Sequence, residues 1–99
     1  MLHIVNKSHT QTRSLESCLR LAQPGHALLL TEDAVYAATR GGAASAGLAA
    51  ALARLKVHVL MPDLEARGMA GALVDGVTPV DYAGFVDLVV THPTNQTWL

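Results

Sequence analysis

The residue best suited to covalent chemistry is Cys18, the single cysteine of the chain. A cysteine thiolate can take up a sulfane sulfur as a persulfide and pass it on, so Cys18 is the candidate catalytic residue for sulfur transfer. The surrounding residues predict a helix whose start Ser14 or Thr12 can cap. With Ser14 as the cap, Cys18 lies near the positive end of the helix dipole, which favours the thiolate. Arg13 and Arg20 are near in sequence and act in the same direction, whereas Glu16 opposes them.

The same helix also offers Cys18 a purely structural role. Helical spacing of i, i+3, i+4 and i+7 places four residues on one apolar face, namely Leu15, Cys18, Leu19 and Ala22. Free cysteine is among the most buried residue types, and burial raises the pKa of the thiol and makes it inert. The residues favour this structural role without excluding transfer chemistry. We expect a partly buried thiol beside a docking surface.

Two carboxylates form a second candidate for chemistry. Glu32 and Asp33 follow a continuous apolar run at residues 27–30, which predicts a buried strand. Ligands of α/β proteins bind at the carboxyl ends of such strands, so this pair can serve acid and base catalysis. The favoured alternative is that Asp33 caps a helix and Glu32 is solvated.

The sequence predicts neither a metal site nor a cofactor. The histidines are scattered, without cysteine or carboxylate at ligand spacing: His3, His9, His26, His58 and His92. The loop after the first predicted strand, residues 6–9, has neither the Rossmann glycine pattern nor a Walker motif, so a nucleotide is not implied. A small-molecule enzyme or nucleotide-binding module that works alone is therefore disfavoured.

The elements that must position these residues alternate between strands and helices. Strands are predicted near residues 2–6, 27–31, 56–61 and 77–80, with a short last strand containing Trp98. This order indicates βαβ units, and hence an α/β fold with a small, mostly parallel sheet flanked by helices on both faces. At 99 residues the chain is long enough for one core, so residues 1–99 form a single domain.

Five helical segments connect the predicted strands. The first ends at Pro24, a short second one begins with Asp33 as its cap, and an alanine-rich third covers residues 44–54. Residues 62–67 and 82–90 are the other two. The alanine-rich helix can approach the sheet closely but contributes little apolar area. With Trp98 so late in the chain, we expect apolar surface that partner subunits cover, and association or aggregation of the chain alone.

Composition excludes several functional classes. Hydrophobic residues make up 51% of the chain, charged residues 15%, and the net charge is -1. These values argue against disorder and against the basic surface of a nucleic-acid-binding protein. No apolar run approaches the roughly 20 residues that span a bilayer. Because no secretory signal is evident and a lone cysteine agrees with a reducing compartment, we expect a cytoplasmic protein without membrane or direct RNA contacts.

Five collinear segments carry a resemblance to a known family. They are the opening Met1-Leu2-His3 through Asn6-Lys7-Ser8, residues 28–33 (LLLTED), residues 62–68 (PDLEARG), residues 81–88 (DYAGFVDL), and the terminal Trp98-Leu99. Together they resemble the DsrH/TusB family over nearly the whole chain. The stretch around Cys18 is similar to the DsrH branch, in which a cysteine lies in the first helix, and this favours that branch.

The resemblance implies a three-layer fold of the DsrE/DsrF-like kind and a cytoplasmic heterohexamer, built as a dimer of heterotrimers. The implied partners are homologous DsrE/TusD-like and DsrF/TusC-like subunits, a sulfur carrier and a DsrC/TusE-like acceptor. Such a sulfurtransferase complex passes persulfide sulfur for sulfur oxidation or for 2-thiolation of the tRNA wobble uridine. The main persulfide cysteine belongs to the DsrE/TusD-type partner, so this chain is either a relay subunit using Cys18 or a non-catalytic scaffold.

Overall fold

The computed structural model of the chain contains five parallel strands in one sheet, in the order β4-β3-β2-β1-β5. The strands are β1 (Leu2–Val5), β2 (Ala27–Leu30), β3 (Lys56–Leu60), β4 (Thr78–Val80) and β5 (Asn95–Trp98). The helices are α1 (Ser14–Leu21), α2 (Ala43–Ala46), α3 (Leu48–Leu52), α4 (Met61–Ala66) and α5 (Tyr82–Thr91), with 3-10 helices at Glu32–Ala38 and Ala70–Ala72. The structure describes residues 1–43 and 46–99 in full, and for residues 44 and 45 the backbone alone. All five predicted strands are confirmed.

The central strands are apolar because both faces of the sheet are covered. Every residue of β2 is fully buried. It pairs with β1 from Leu2↔Ala27 to Val5↔Leu30, and with β3 from Ala27↔Lys56 to Leu30↔Val59. A continuous apolar run, rather than an alternating one, is what a parallel strand between two layers requires.

The two faces of the sheet are covered unequally. On the first face, α1, α3, α4 and the first 3-10 helix enclose the main core, which includes Leu15, Leu30, Leu48 and Leu64. On the second face a smaller cluster of Leu2, Ala27 and Leu29 is packed mainly against residues of α5, namely Phe85, Leu88 and Val89. The predicted α/β fold with helices on both faces is confirmed.

The prediction of one alanine-rich helix over residues 44–54 is wrong. Two short helices, α2 and α3, stand there instead, separated by Gly47. Gly47 has a φ of 71°, a left-handed conformation that ends one helix before the next begins. Helical spacing continues across the break in the sequence, which is why the pattern alone does not show it.

The start of α1 differs from the predicted cap at Ser14. Arg13 occupies the N-cap of α1, and Ser14 is already helical. The backbone N–H of Ser14 donates to Thr12 Oγ1 at 3.3 Å, so Thr12 supports the helix start. The Ser14 hydroxyl instead donates to the carbonyl oxygen of Leu99 at 2.5 Å and ties α1 to the end of the chain.

Helix α5 begins as predicted and sits close to the sheet. The Asp81 side chain accepts a bond from the backbone N–H of Gly84 at 2.8 Å, which is a standard N-cap. A Cβ added at Gly84 would lie 2.9 Å from the Cβ of Val80. Only glycine therefore lets the first turn of α5 approach β4 this closely.

Candidate functional site

The Cys18 thiol points into the main core. Its side chain is 0% exposed and belongs to the cluster that contains Leu15 and Leu30. Burial raises its pKa to about 12, and the nearby positive charge of Arg54 opposes this only in part. The expectation of a partly buried thiol is wrong for this chain, because the apolar face of α1 lies flat against the sheet. A role for Cys18 in sulfur transfer stays a prediction.

Arg54 is the cation that packs against the carboxyl end of α1. Its Nη1 donates to the carbonyl oxygen of Ala22 at 2.6 Å, and its Nη2 donates to the carbonyl oxygen of Leu19. These carbonyls belong to the last turn of α1, where helix carbonyls lack partners within the helix. Arg54 therefore anchors α1 to the loop before β3, while its charge lies near enough to influence the Cys18 thiol.

The two carboxylates after β2 have different surroundings. Asp33 is not a cap: its Oδ1 accepts from Nε and Nη2 of Arg67 at 3.0 and 2.9 Å. Thr31 occupies the N-cap position of the 3-10 helix. Glu32 is exposed and has a φ of 49°, and its backbone N–H donates to Asp63 Oδ2 at 2.6 Å. The pair is thus split into an ion-paired residue and a solvated one, which does not favour joint acid and base catalysis.

Two hollows lie among the loops at the carboxyl edge of the sheet. One, of about 500 Å³, is bordered by Ser8, Thr10, Tyr36 and Thr39, among others. The other, of about 550 Å³, is bordered by residues that include Arg13, Leu15 and Glu16. Cys18 is absent from the lining of either, as the structure describes them, so its thiol has no open route to these loops.

Three aromatic rings, those of His3, His26 and Trp98, meet beside β1 in a cluster that the sequence analysis did not predict. The Trp98 Nε1–H donates to Nδ1 of His3 at 3.2 Å, and Nε2 of His3 lies 3.0 Å from Nδ1 of His26. The register Leu2↔Ala27 and Val5↔Trp98 brings them together. The sequence already predicted the first, second and last strands. Placing these strands side by side in parallel is the step that could have predicted the cluster.

The bonds of this cluster fix which ring nitrogen carries each proton. An indole N–H only donates, so Nδ1 of His3 accepts and its Nε2 carries the proton that is donated to His26. Burial lowers the pKa of His3, with further lowering by the charges of His26 and the N-terminal amine. Burial and the N-terminal amine likewise lower the pKa of His26. Both shifts favour the neutral form of the rings.

Within the described residues, no group of three or more His, Cys, Asp or Glu side chains is placed to hold a metal ion. A search over the same residues finds no helix both long and apolar enough to cross a membrane.

Comparison with known proteins identifies relatives over the full chain. Residues 7–95 match the sequence model of the family described as DsrH like protein. Protein TusB of Pectobacterium parmentieri is 40% identical over 98 residues, covering 99% of this chain and all of the relative. Protein TusB of Shigella flexneri is 38% identical with the same coverage. The resemblance seen in the five segments is therefore confirmed.

Solved structures show the same fold. The crystal structure of the ychN protein from E. coli superposes with a TM-score of 0.79 at 23% identity, covering 98% of this chain and 97% of that one. A protein of unknown function from Methanobacterium thermoautotrophicum gives a TM-score of 0.73 at 17% identity, covering 97% and 95%. At these identities the likeness concerns the fold alone.

Proposed function

This chain belongs to the DsrH-like family, and we propose that it is a subunit of a cytoplasmic sulfur-relay complex. In this proposal it assembles with homologous DsrE/TusD-like and DsrF/TusC-like subunits into a heterohexamer. The complex passes persulfide sulfur from a carrier protein to a DsrC/TusE-like acceptor. The observation that carries the proposal is similarity to TusB proteins from end to end at 38 to 40% identity.

Two pathways can use such a complex, and different observations favour them. The TusB relatives favour 2-thiolation of the tRNA wobble uridine, which is our first choice. The cysteine in the first helix favours sulfur oxidation, because the DsrH branch has a cysteine at that place. We rank the tRNA pathway first because full-length similarity outweighs one residue.

Within the complex, we propose that this chain is a scaffold rather than a sulfur carrier. The attacking species in persulfide chemistry is the thiolate. A thiol that is 0% exposed, with a pKa raised to about 12, supplies almost none near neutral pH. Sulfur transfer through Cys18 would require α1 to move away from the sheet, against the anchor that Arg54 provides.

Deletion of the gene in its own organism tests the pathway. We expect the fraction of wobble uridine that carries sulfur to fall, as measured by mass spectrometry of digested tRNA. It should fall to about the level of strains that lack one of the partner subunits. Reintroducing the wild-type chain restores it. Normal thiolation together with a loss of sulfide or sulfur oxidation would contradict the tRNA assignment and support the second pathway.

Mass spectrometry of the loaded complex tests the scaffold role. After incubation with a persulfide donor, the DsrE/TusD-like subunit should gain the mass of one sulfur atom, and the peptide that contains Cys18 should not. The partner's gain of mass is the internal control for loading. A sulfur adduct on Cys18 that forms as fast as the partner's would contradict the scaffold role and establish a relay.

A further inference from the structure

Helix α5 exposes large apolar side chains to solvent along one flank. Tyr82, Val86 and Val90 are 61%, 59% and 77% exposed. They are spaced four residues apart, so they form one stripe along the helix, which we call the α5 stripe. The adjacent side of α5 is also apolar and covers the second face of the sheet through Phe85, Leu88 and Val89.

A helix that is apolar around much of its circumference is normally buried on more than one side. Here Gly84 holds α5 tightly on β4, so the stripe cannot turn inwards to bury itself. The stripe is therefore a surface for another molecule rather than a loosely packed part of the core.

The charges near the stripe are of one sign. All seven Lys and Arg residues lie at or before Arg67, so the last 32 positions contain none. The same region contains Asp75, Asp81 and Asp87. Asp81 and Asp87 are exposed, and Asp87 lies in the middle of α5 beside Val86. In sequence, the lysine or arginine nearest to α5 is Arg67.

We propose that the α5 stripe docks a partner subunit through an apolar helix or sheet face bordered by a lysine or arginine that meets Asp87. This inference rests on the proposed function and specifies which surface of the chain the partner covers. The stripe supplies the apolar centre of the contact, and the aspartates set the charge that the partner must present.

Charge argues against a second copy of this chain as the occupant. In a twofold dimer the same surface meets itself. Antiparallel pairing of two α5 helices about their middle would place Asp87 against Asp87, with no cation from either helix between them. Like charges placed together at an interface are unfavourable, whereas a cation from a different subunit is attracted.

A helix of ten residues is only about 15 Å long, and a stable interface covers about 800 Å² on each partner. The stripe therefore supplies only the central part of such an interface, and the partner must also cover neighbouring surface of the chain.

Co-purification of the full complex tests the surface. The wild-type chain and the variants Val86→Glu and Leu21→Glu are each co-expressed with the DsrE/TusD-like and DsrF/TusC-like subunits of the same genome. Leu21 is the matched control, because it is 65% exposed but lies on α1, on the other face of the sheet. We expect Val86→Glu to raise the Kd for the partners about 30-fold or more, and Leu21→Glu to change it less than about threefold.

A second variant tests the charge. Asp87→Asn should slow association with the partners and reduce its dependence on salt, because steering by charge acts on the association rate. Far-UV circular dichroism of each variant checks that α5 is still helical. An association rate and salt dependence equal to those of the wild type would contradict the matching cation.

The outcomes separate this inference from the proposed function. If the wild-type chain assembles and Val86→Glu assembles equally well, the surface is wrong and the function stands. If the wild-type chain binds neither subunit, the proposed function fails. A homodimer of the purified chain that Val86→Glu dissociates would show a second copy on the stripe, and wild-type binding to lipid vesicles that Val86→Glu abolishes would show a membrane there; either result overturns the inference.

Discussion

The indole nitrogen of Trp98 donates a hydrogen bond to Nδ1 of His3 across 3.2 Å, joining the last strand to the first. The Nε2–H of His3 in turn donates to Nδ1 of His26 at 3.0 Å. The backbone N–H of Gln23 donates to the same nitrogen of His26 at 3.3 Å. The end of β5 is thus held by these linked side-chain hydrogen bonds in addition to its backbone pairing with β1.

Trp98→Phe should weaken this attachment. The substitution removes the N–H donor and leaves the buried Nδ1 of His3 without it, while much of the apolar ring is kept. We expect the free energy of unfolding to fall by about 1 to 2 kcal/mol. Urea unfolding followed by circular dichroism measures it. Tyr82→Phe, a change on an exposed ring, is the control and should stay within about 0.5 kcal/mol. Equal stability of Trp98→Phe and wild type would show that the bond contributes nothing.

The free energy of unfolding should decrease as the pH falls below about 6.5, the ordinary pKa of a histidine side chain. Burial lowers the pKa of His3, His26 and His58 in the folded chain. The unfolded chain therefore binds more protons than the folded one in this range. The three histidines contribute fully to stability above their pKa in the unfolded chain. This contribution is lost as the pH falls towards their lower pKa in the folded chain. A proton on Nδ1 of His3 would also face the Trp98 N–H donor to donor.

Urea unfolding between pH 5 and pH 8 checks this dependence. The variant His3→Gln should be less stable at pH 8 but show a shallower loss of stability towards pH 5, because one of the titrating groups is gone. A profile as steep as that of the wild type would rule out His3 as a contributor.

The sequence predicts the strands well because a sheet buried on both faces demands unbroken apolar runs. β2 is recognisable for that reason, β3 is recognisable from its alternation of polar and apolar residues before Pro62, and β5 follows from Trp98. The spacing of apolar residues does not indicate where the backbone adopts a positive φ. The break at Gly47 and the positive φ of Glu32 were missed for this reason.

The sequence pattern also does not predict side-chain contacts between elements that are distant in the chain. The helical spacing showed that Cys18 is on the apolar face of α1 but not how closely that face meets the sheet. Likewise the Trp98 cluster depends on which strands are neighbours. Family resemblance predicts the fold and the partners, whereas the burial of a side chain depends on packing between elements that are distant in sequence.

Removing the guanidinium of Arg54 should destabilise the chain. Arg54→Met keeps the apolar stem and deletes both donors to the last turn of α1. Hydrogen bonds from charged groups contribute about 1.5 to 3 kcal/mol, so we expect a loss of about 2 kcal/mol in the free energy of unfolding. Arg20→Met is the matched control, because Arg20 is exposed in the same helix and should change stability by less than about 0.5 kcal/mol. Equal effects of the two variants would contradict the anchoring role.

Replacing Glu32 by glycine should stabilise the chain slightly. Glu32 has a φ of 49°, a region in which a side chain costs about 1 to 2 kcal/mol and glycine does not. Glycine loses more backbone entropy on folding, so the net gain should be at most about 1 kcal/mol. The comparison variant Glu16→Gly, within α1, should instead lose about 0.5 to 1 kcal/mol. Thermal unfolding distinguishes the two signs, and a loss at both positions would show that the Glu32 side chain matters more than its backbone.

Alkylation of Cys18 should be slow in the folded chain. With a pKa of about 12 the thiolate fraction at pH 8 is roughly one in ten thousand, and the side chain is 0% exposed. Iodoacetamide should therefore label Cys18 much faster in denaturing urea than in buffer, as measured by mass spectrometry over time.

Substitution of Cys18 should act on stability and not on sulfur flow. Cys18→Ala leaves a small cavity and should cost about 1 kcal/mol, and Cys18→Ser, which buries a hydroxyl among apolar side chains, should cost about 1 to 3 kcal/mol. Because the chain is proposed to be a scaffold, complexes containing either variant should load and release sulfur on the partner cysteine at the wild-type rate. Rapid, complete labelling of Cys18 in the intact complex, together with impaired sulfur release by Cys18→Ala at normal assembly, would overturn this and assign the thiol to the relay.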